Sequence, residues 1–263
     1  MELNFLISEP ESVYRAKSNE YLTSHQLADF RRCPLLYRKK TLGLIEEEDR
    51  PAYLVGRALH TFALEGRDAF DLDFVVGGPI NPKTGEAYGP GTKAYAKWAI
   101  ESGKQALTEH QYYLILCMAE SVKSHRLASE LLQSGVAEGV VRTNYCDMPC
   151  QARIDWLNPD LGIVDLKTCD DLDRFEYDAR RYGYIYQMAF YWALLAQVTS
   201  LYLPVKLIAI EKQEPYRCGV WSLTEDGLRK AMRENEAFIE RLKLCRQENA
   251  WPTNYELCRL LDF

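Results

Sequence analysis

No C-x-x-C pair occurs in this chain, although it holds eight cysteines, at 33, 117, 146, 150, 169, 218, 245 and 258. Scattered thiols of this kind fit a reducing compartment better than a disulfide framework. Only Cys146 and Cys150 stand close together, and no second pair accompanies them to make a zinc site. No apolar run approaches the ~20 residues needed to cross a bilayer. The opening MELNFLISEPESVYRAK lacks the basic start and long apolar core of a secretory signal, so a cytoplasmic protein with no membrane partner is expected. Excess positive charge is missing too: the net charge of −6 argues against coating nucleic acid by bulk attraction, while leaving room for a local basic track. Neither an internal repeat nor a low-complexity tract interrupts the 263 residues.

What remains is the composition of an ordinary globular protein, with 47% hydrophobic and 27% charged residues. One domain over 1–263 is expected: an irregular segment at 1–22, a mainly helical front at 23–133, and a sheet with flanking helices at 134–263. Thr23 or Ser24 caps a helix running to about Lys40. An acidic turn, EEED, precedes a helix entered at Pro51 and left at Gly66. Residues 77–92 are dense in Gly and Pro and read as a long loop. Helices follow at 92–103 and from Thr108 to about Gln133. Strands are expected at 136–145, 149–157 and 162–168, helices at 171–181 and 184–198, two more strands, and a helix from Thr224 to about Gln247. The order predicts an α/β fold with a mixed central β-sheet flanked by helices.

The stretch RIDWLNPDLGIVDLKT, Arg153 to Thr168, sets charges among strand-forming apolar residues. Carboxylates and ammonium groups are rarely buried without partners. Alternation puts Asp165 and Lys167 on one face, opposite Val164 and Leu166; Arg153 and Asp155 share a face opposite Ile154. A hairpin centred near Pro159 pairs Asp155 with Ile163 and sets it diagonal to Asp165, within reach of one shared ion. Two facing carboxylates repel unless a cation neutralises them. Mg²⁺ suits oxygen ligands and is readily shared with phosphate. Lys167 would then orient or help deprotonate a water, or offset charge building on phosphate. A surface salt-bridged hairpin would show the same pattern.

Further candidates flank this core. Glu138 offers a third carboxylate on the preceding strand. His60 offers an imidazole, although a lone histidine there also suits simple packing. Gln187 and Tyr191, at i and i+4, share one helix face and could hydrogen-bond a phosphate or water; an aromatic helix packed on the sheet is the other reading. Two patches mix basic residues with aromatics: FRRCPLLYRKK, with Arg31, Arg32, Arg38, Lys39 and Lys40, and DARRYGY, with Arg180, Arg181 and Tyr184. They are candidates for a phosphate track, or solvated helix faces.

The order His, Glu, Asp, then D-L-K, then Q-x-x-x-Y resembles the PD-(D/E)xK nuclease superfamily, in the branch that includes the RecB nuclease domain. CQARIDW, GIVDLKTCDDLDRF and YGYIYQMAFY are closest to the nuclease domain of RecE (exonuclease VIII) and its phage and prophage relatives. LTSHQLADFRRCPLLYRKK, VGRALHTFALEG and GPINPKTGEAYG extend the likeness, which runs from about Leu22 to Tyr191. It implies a restriction-endonuclease-like core. Metal ligands would be His60, Asp155, Asp165 and the carbonyl of Leu166, with Lys167 as the catalytic lysine and Gln187 and Tyr191 as its supporting helix. Glu138 and Tyr184 fall on an acidic and an aromatic position of the RecE group. Also implied are Mg²⁺ as cofactor, with Mn²⁺ as substitute, action on double-stranded DNA ends from 5′ to 3′, a RecT-like annealing protein that receives the 3′ overhang, and a ring-shaped homo-oligomer. Some RecB-like relatives hold an iron–sulfur cluster through one N-terminal cysteine and a C-terminal triplet. Cys33 matches the first, but Cys245 and Cys258 form no triplet, so no cluster is expected.

The leading expectation is therefore a Mg²⁺-dependent exonuclease on linear duplex DNA. A structure-specific endonuclease of the same fold and a catalytically silent DNA-binding protein are the alternatives.

Overall fold

The computed structural model describes residues 3–45 and 51–260; the acidic turn expected at 46–49 lies outside them. The N-terminal segment expected to be irregular holds a short helix, α1 (Glu11–Ala16), and a 3₁₀ turn at Lys17–Asn19. It is tied to the sheet by Ile7, which exchanges backbone hydrogen bonds with Val140.

The single helix expected from Thr23 to Lys40 is two, α2 (Ser24–Arg32) and α3 (Pro34–Thr41). Thr23 caps the first in a reciprocal capping box with Gln26. Pro34 ends it, because proline has no N–H to donate and pushes the residue before it out of the helical region; Cys33 is extended at φ −166° and ψ 112°. The front continues through α4 (Pro51–His60), a π-type turn at Thr61–Glu65, α5 (Arg67–Asp73) and a short strand β1 (Phe74–Val76). The long loop follows as expected. After it come α6 (Lys93–Ser102), capped by Thr92, and β2 (Gln105–Leu107), which pairs in parallel with β1. The helix expected from Thr108 to Gln133 breaks at His125 into α7 (Glu109–Ser124) and α8 (Arg126–Leu131). His125 is extended there, and its Nδ1 accepts the Ala128 N–H to cap the second piece.

The second half is built from β3 (Val136–Tyr145), β4 (Met148–Asn158), β5 (Gly162–Cys169), a 3₁₀ turn at Leu172–Arg174, α9 (Phe175–Tyr182), α10 (Tyr184–Thr199), β6 (Val205–Glu211), β7 (Cys218–Leu223) and α11 (Glu225–Glu248). The five strands form one sheet in sequence order. It is antiparallel except for the parallel pair β5–β6, whose strands are joined by α9 and α10.

Two cores sandwich the sheet. Val205, Leu207 and Ala209 of β6 join α2, α10 and α11 in one core. Ile208 and Ile210 of the same strand join α4, α7 and α8 in the other. Burial on both faces explains why β5 and β6 read as near-continuous apolar runs.

The hairpin register differs from expectation. Leu157 pairs with Ile163 and Trp156 with Val164, so Ile163 stands opposite Leu157 and not opposite Asp155. The ladder ends at Trp156 and Val164, and beyond it Asp155 meets β5 through its side chain, on the Leu166 N–H. The turn depends on Gly162: its φ is +98°, and a Cβ there would stand 2.0 Å from the Pro204 carbonyl oxygen.

Candidate metal and active centre

The strands change character where the charges gather. Ala137 pairs with Trp156 and Gly139 with Ile154, but Glu138 between them makes no ladder pair and has φ +54°. A left-handed conformation at a non-glycine residue costs on the order of 1–3 kcal/mol and collects at functional sites. Opposite it, Ile154 and Leu157 enter the same core although three residues apart, so the alternation of β4 breaks around Asp155. The expected sharing of one face by Arg153 and Asp155 holds only up to that break.

At this break the protein gathers its acids. One ligand atom from each of His60, Glu138 and Asp155 lies within 4.8 Å of the other two. His60 ends α4, where the helix widens into the π-type turn closed by the Gly66 N–H on the Thr61 carbonyl, 3.0 Å away. Such turns are rare and often sit at functional positions. His60 Nδ1 is 3.4 Å from Asp155 Oδ2. The same Oδ2 accepts the backbone N–H of Leu166 at 2.9 Å, which fixes the carboxylate across the hairpin. Arg153 Nε donates to Glu138 Oε2 at 2.6 Å, and its Nη1 to the Glu9 carbonyl at 3.2 Å.

Asp165 is 1% exposed. Lys167 Nζ lies 2.6 Å from its Oδ2, close enough for an ion pair. Beyond that ammonium, neither oxygen of Asp165 has a hydrogen-bond donor among the described residues. Lys167 also donates to Gln187 Oε1 at 3.2 Å, and Gln187 Nε2 donates to the Tyr191 hydroxyl at 3.0 Å. The Tyr184 ring centroid stands 4.9 Å from the same ammonium.

The electrostatics follow from burial. Desolvation first, and then the Asp155 charge, push Glu138 up to about 7 and Asp165 up to about 6. Burial works against the charge of Lys167, but the carboxylates of Asp165 and Asp155 outweigh it and hold its pKa above the ordinary lysine value. Burial likewise carries the Tyr191 hydroxyl well above the usual range, so it stays a neutral donor and acceptor.

These residues fit a divalent cation. One imidazole and several carboxylate oxygens form a mostly hard donor set, suited to Mg²⁺ or Mn²⁺. A buried carboxylate whose one donor is a neighbouring ammonium keeps oxygen lone pairs free for a metal ion.

The structure thus brings His60, Glu138 and Asp155 together as one ligand group, and sets Asp165, Tyr184, Gln187 and Tyr191 around Lys167 as a second; Asp165 is not a member of the first, and the Leu166 N–H on Asp155 links the two. Leu166 contributes through its N–H, a contact that the side-chain pattern does not reveal. Arg153, which holds the Glu138 carboxylate, is not among the sequence candidates, although its place two before Asp155 is a usable signal. The Glu9 carbonyl left none. The basic patches are arranged differently. Arg31 is half-buried, its guanidinium 3.7 Å from the Tyr186 ring centroid and bonded to Asn235 at 2.5 Å. Lys40 is ion-paired with Asp29, and Arg38 lies over Trp251. Arg32, Lys39, Arg180 and Arg181 are exposed.

The model of a family described as "PDDEXK-like domain of unknown function (DUF3799)" matches residues 23–262. Among solved structures, a chain described as a "putative exonuclease" from Eubacterium rectale is similar with a TM-score of 0.71 at 19% identity, over 98% of this chain and 96% of that one. At that identity the likeness shows a shared fold. LHK-Exo in complex with dAMP aligns over 91% of this chain and 98% of its own at 13% identity, but its TM-score of 0.36 carries no argument. No curated protein matches. Among the described residues no helix is long and apolar enough to cross a membrane.

Proposed function

We propose, for a chain that belongs to the family of the PDDEXK-like domain of unknown function (DUF3799) and with it to the PD-(D/E)xK superfamily, a Mg²⁺-dependent exonuclease acting on linear double-stranded DNA. The observation that carries the reading is the convergence of His60, Glu138 and Asp155, with the buried Asp165–Lys167 pair joined to them through the Leu166 N–H on Asp155. His60, Glu138, Asp155 and Asp165 would hold the cation, with Mn²⁺ as substitute. When bound, it supplies positive charge to phosphate oxygens and acidifies water.

The rest of the chemistry falls to the chain's own groups. Lys167, held as an ammonium, offsets charge developing on the scissile phosphate and donates to an attacking water. Gln187 fixes the Lys167 ammonium from one side, and Tyr191 fixes the Gln187 amide. Arg153 holds the Glu138 carboxylate in its strained backbone position. Arg32, Arg180 and Arg181, exposed on α2 and α9, would meet phosphates.

The RecE-like details belong to this proposal as well: 5′-to-3′ polarity, a 3′ overhang passed to a RecT-like annealing protein in phage-type recombination, and a ring-shaped homo-oligomer. The motif likeness in GIVDLKT and YGYIYQMAFY supports them. Digestion of linear duplex labelled at either end, beside covalently closed circles, tests the reading. Mg²⁺-dependent loss of the 5′ label first, with circles intact, is expected. Cleavage of circles would instead favour a structure-specific endonuclease. No cleavage of any DNA, with no Mg²⁺ or Mn²⁺ binding, would leave a silent DNA-binding protein.

A further inference from the structure

An aromatic path leads from Lys167 to the surface. Nζ of Lys167 stands 4.9 Å from the Tyr184 ring centroid, the Tyr184 and Tyr182 rings are 5.9 Å apart and 30° from parallel, and the Arg181 guanidinium lies 5.6 Å from the Tyr182 centroid. The inner ring has a firm back: Tyr184 packs on buried Phe175, which packs on Trp221. The outer ring does not, for Tyr182 is 59% exposed at the end of α9. It borders a groove of about 820 Å³, on whose walls stand Asp170, Asp171, Asp178, Glu211 and Glu214.

Two properties of this surface point to one occupant. Asp170 is paired with Lys212, Glu211 and Asp171 share Arg217, and with Asp178 and Glu214 the walls carry more carboxylates than Arg174, Arg181 and Arg217 balance, so the groove offers no continuous run of positive charge to a phosphate backbone. Flat aromatic faces next to guanidinium groups suit nucleobases, whose stacking does not depend on sequence. We infer that Tyr182 and Tyr184 form a stacking platform for unpaired bases at the end of the DNA strand that Lys167 acts on, with Arg181 closing its outer edge. The inference rests on the nuclease reading and adds to it that the enzyme grips separated bases, where duplex backbone contacts alone would not need aromatic faces. Rings held beside the reacting phosphate would fix the terminal nucleotides while their strand stays frayed.

The test uses a linear duplex with a short unpaired end carrying 2-aminopurine, bound with Ca²⁺ in place of Mg²⁺ to hold turnover down. Parallel Mg²⁺ reactions record cleavage. Tyr182→Ala should lose most of the 2-aminopurine quenching and bind the frayed end roughly five- to tenfold more weakly. Tyr182→Phe keeps the ring and should retain both. Tyr255→Ala, an exposed tyrosine of the C-terminal segment, should match the parent. Undiminished quenching and affinity in Tyr182→Ala, with a parent that cleaves DNA, overturn the platform and leave the nuclease reading standing. A parent that quenches but never cleaves overturns the nuclease reading, and loss of quenching in Tyr182→Ala then still supports a base-stacking surface.

Discussion

Two buried carboxylates on neighbouring strands are treated in opposite ways. Glu211, at the end of β6, is 4% exposed and fully engaged: Arg217 donates to both of its oxygens, at 2.8 and 2.6 Å, and the Leu172 N–H donates at 2.7 Å. The Arg217 hydrogen bonds hold its pKa down at about 2, against burial. Asp165, on β5, is 1% exposed and has no donor beyond the Lys167 ammonium among the described residues; burial and the Asp155 charge outweigh that ammonium and lift it to about 6. A carboxylate that completes itself is part of the scaffold. One whose only partner is an ammonium 2.6 Å away, and which feels the charge of Asp155 from the neighbouring ligand group, is fitted to act on something else.

The contrast is broken most strongly by removing Lys167 or Asp165. Lys167→Ala and Asp165→Ala should each lower DNA cleavage by about 100-fold or more, the scale of losing a group that acts on developing charge, while circular dichroism shows a folded protein. Arg217→Ala should instead appear in thermal melting. It strands the buried Glu211, so the melting temperature should fall by several degrees; an unchanged value would mean that water replaces the arginine.

Arg153→Ala comes next. It frees Glu138 to leave the cluster, and calorimetric titration with Mn²⁺ should show roughly 10–100-fold weaker binding. His60→Ala should weaken the same titration.

The pH dependence sharpens the comparison because its two halves have opposite signs. Glu138 and Asp165 have folded-state pKa values raised to about 7 and 6, so their contribution is full at low pH and is lost as pH rises through that window. Melting of the metal-free protein should therefore drop as pH rises from about 4 to about 7, the span between the ordinary carboxylate values and the raised ones, and Mg²⁺ or Mn²⁺ should reverse the drop. Glu211 has a lowered value, so it stabilises above the ordinary glutamate range, and that stability fades as pH falls towards about 2. Arg217→Ala should flatten the acid limb and leave the neutral one. The smallest effect expected is Asp165→Asn, which should raise the metal-free melting temperature at pH 8 slightly while abolishing its rise with metal.

The sheet was legible because β3, β4 and β5 carry local signals: apolar alternation, a turn around Pro159, and charges that break the pattern. Their ends agree with expectation to within a residue or so. The front half was less so. Its helices break where one residue overrides the period, Pro34 by its missing N–H and His125 by capping the next helix, while β1 and β2 are three residues each and too short to show periodicity. For the site, the charges set among apolar strand residues pointed to Asp155, Asp165 and Lys167, but strict alternation missed both the hairpin register and the break in β4, which turns Asp155 towards His60. What strand logic did not predict was the backbone: the left-handed Glu138, the Leu166 N–H on Asp155 and the N-terminal Glu9 carbonyl on Arg153. Those contacts depend on where chain segments cross, which side-chain patterning does not encode.

The most direct test of the central claim is single-turnover cleavage of a linear duplex by the parent and Lys167→Ala, each with Mg²⁺ and with chelator. Cleavage by the parent only with Mg²⁺, and about 100-fold slower cleavage by Lys167→Ala under the same conditions, is the predicted result. Parental rates in Lys167→Ala, or undiminished cleavage in chelator, would contradict it.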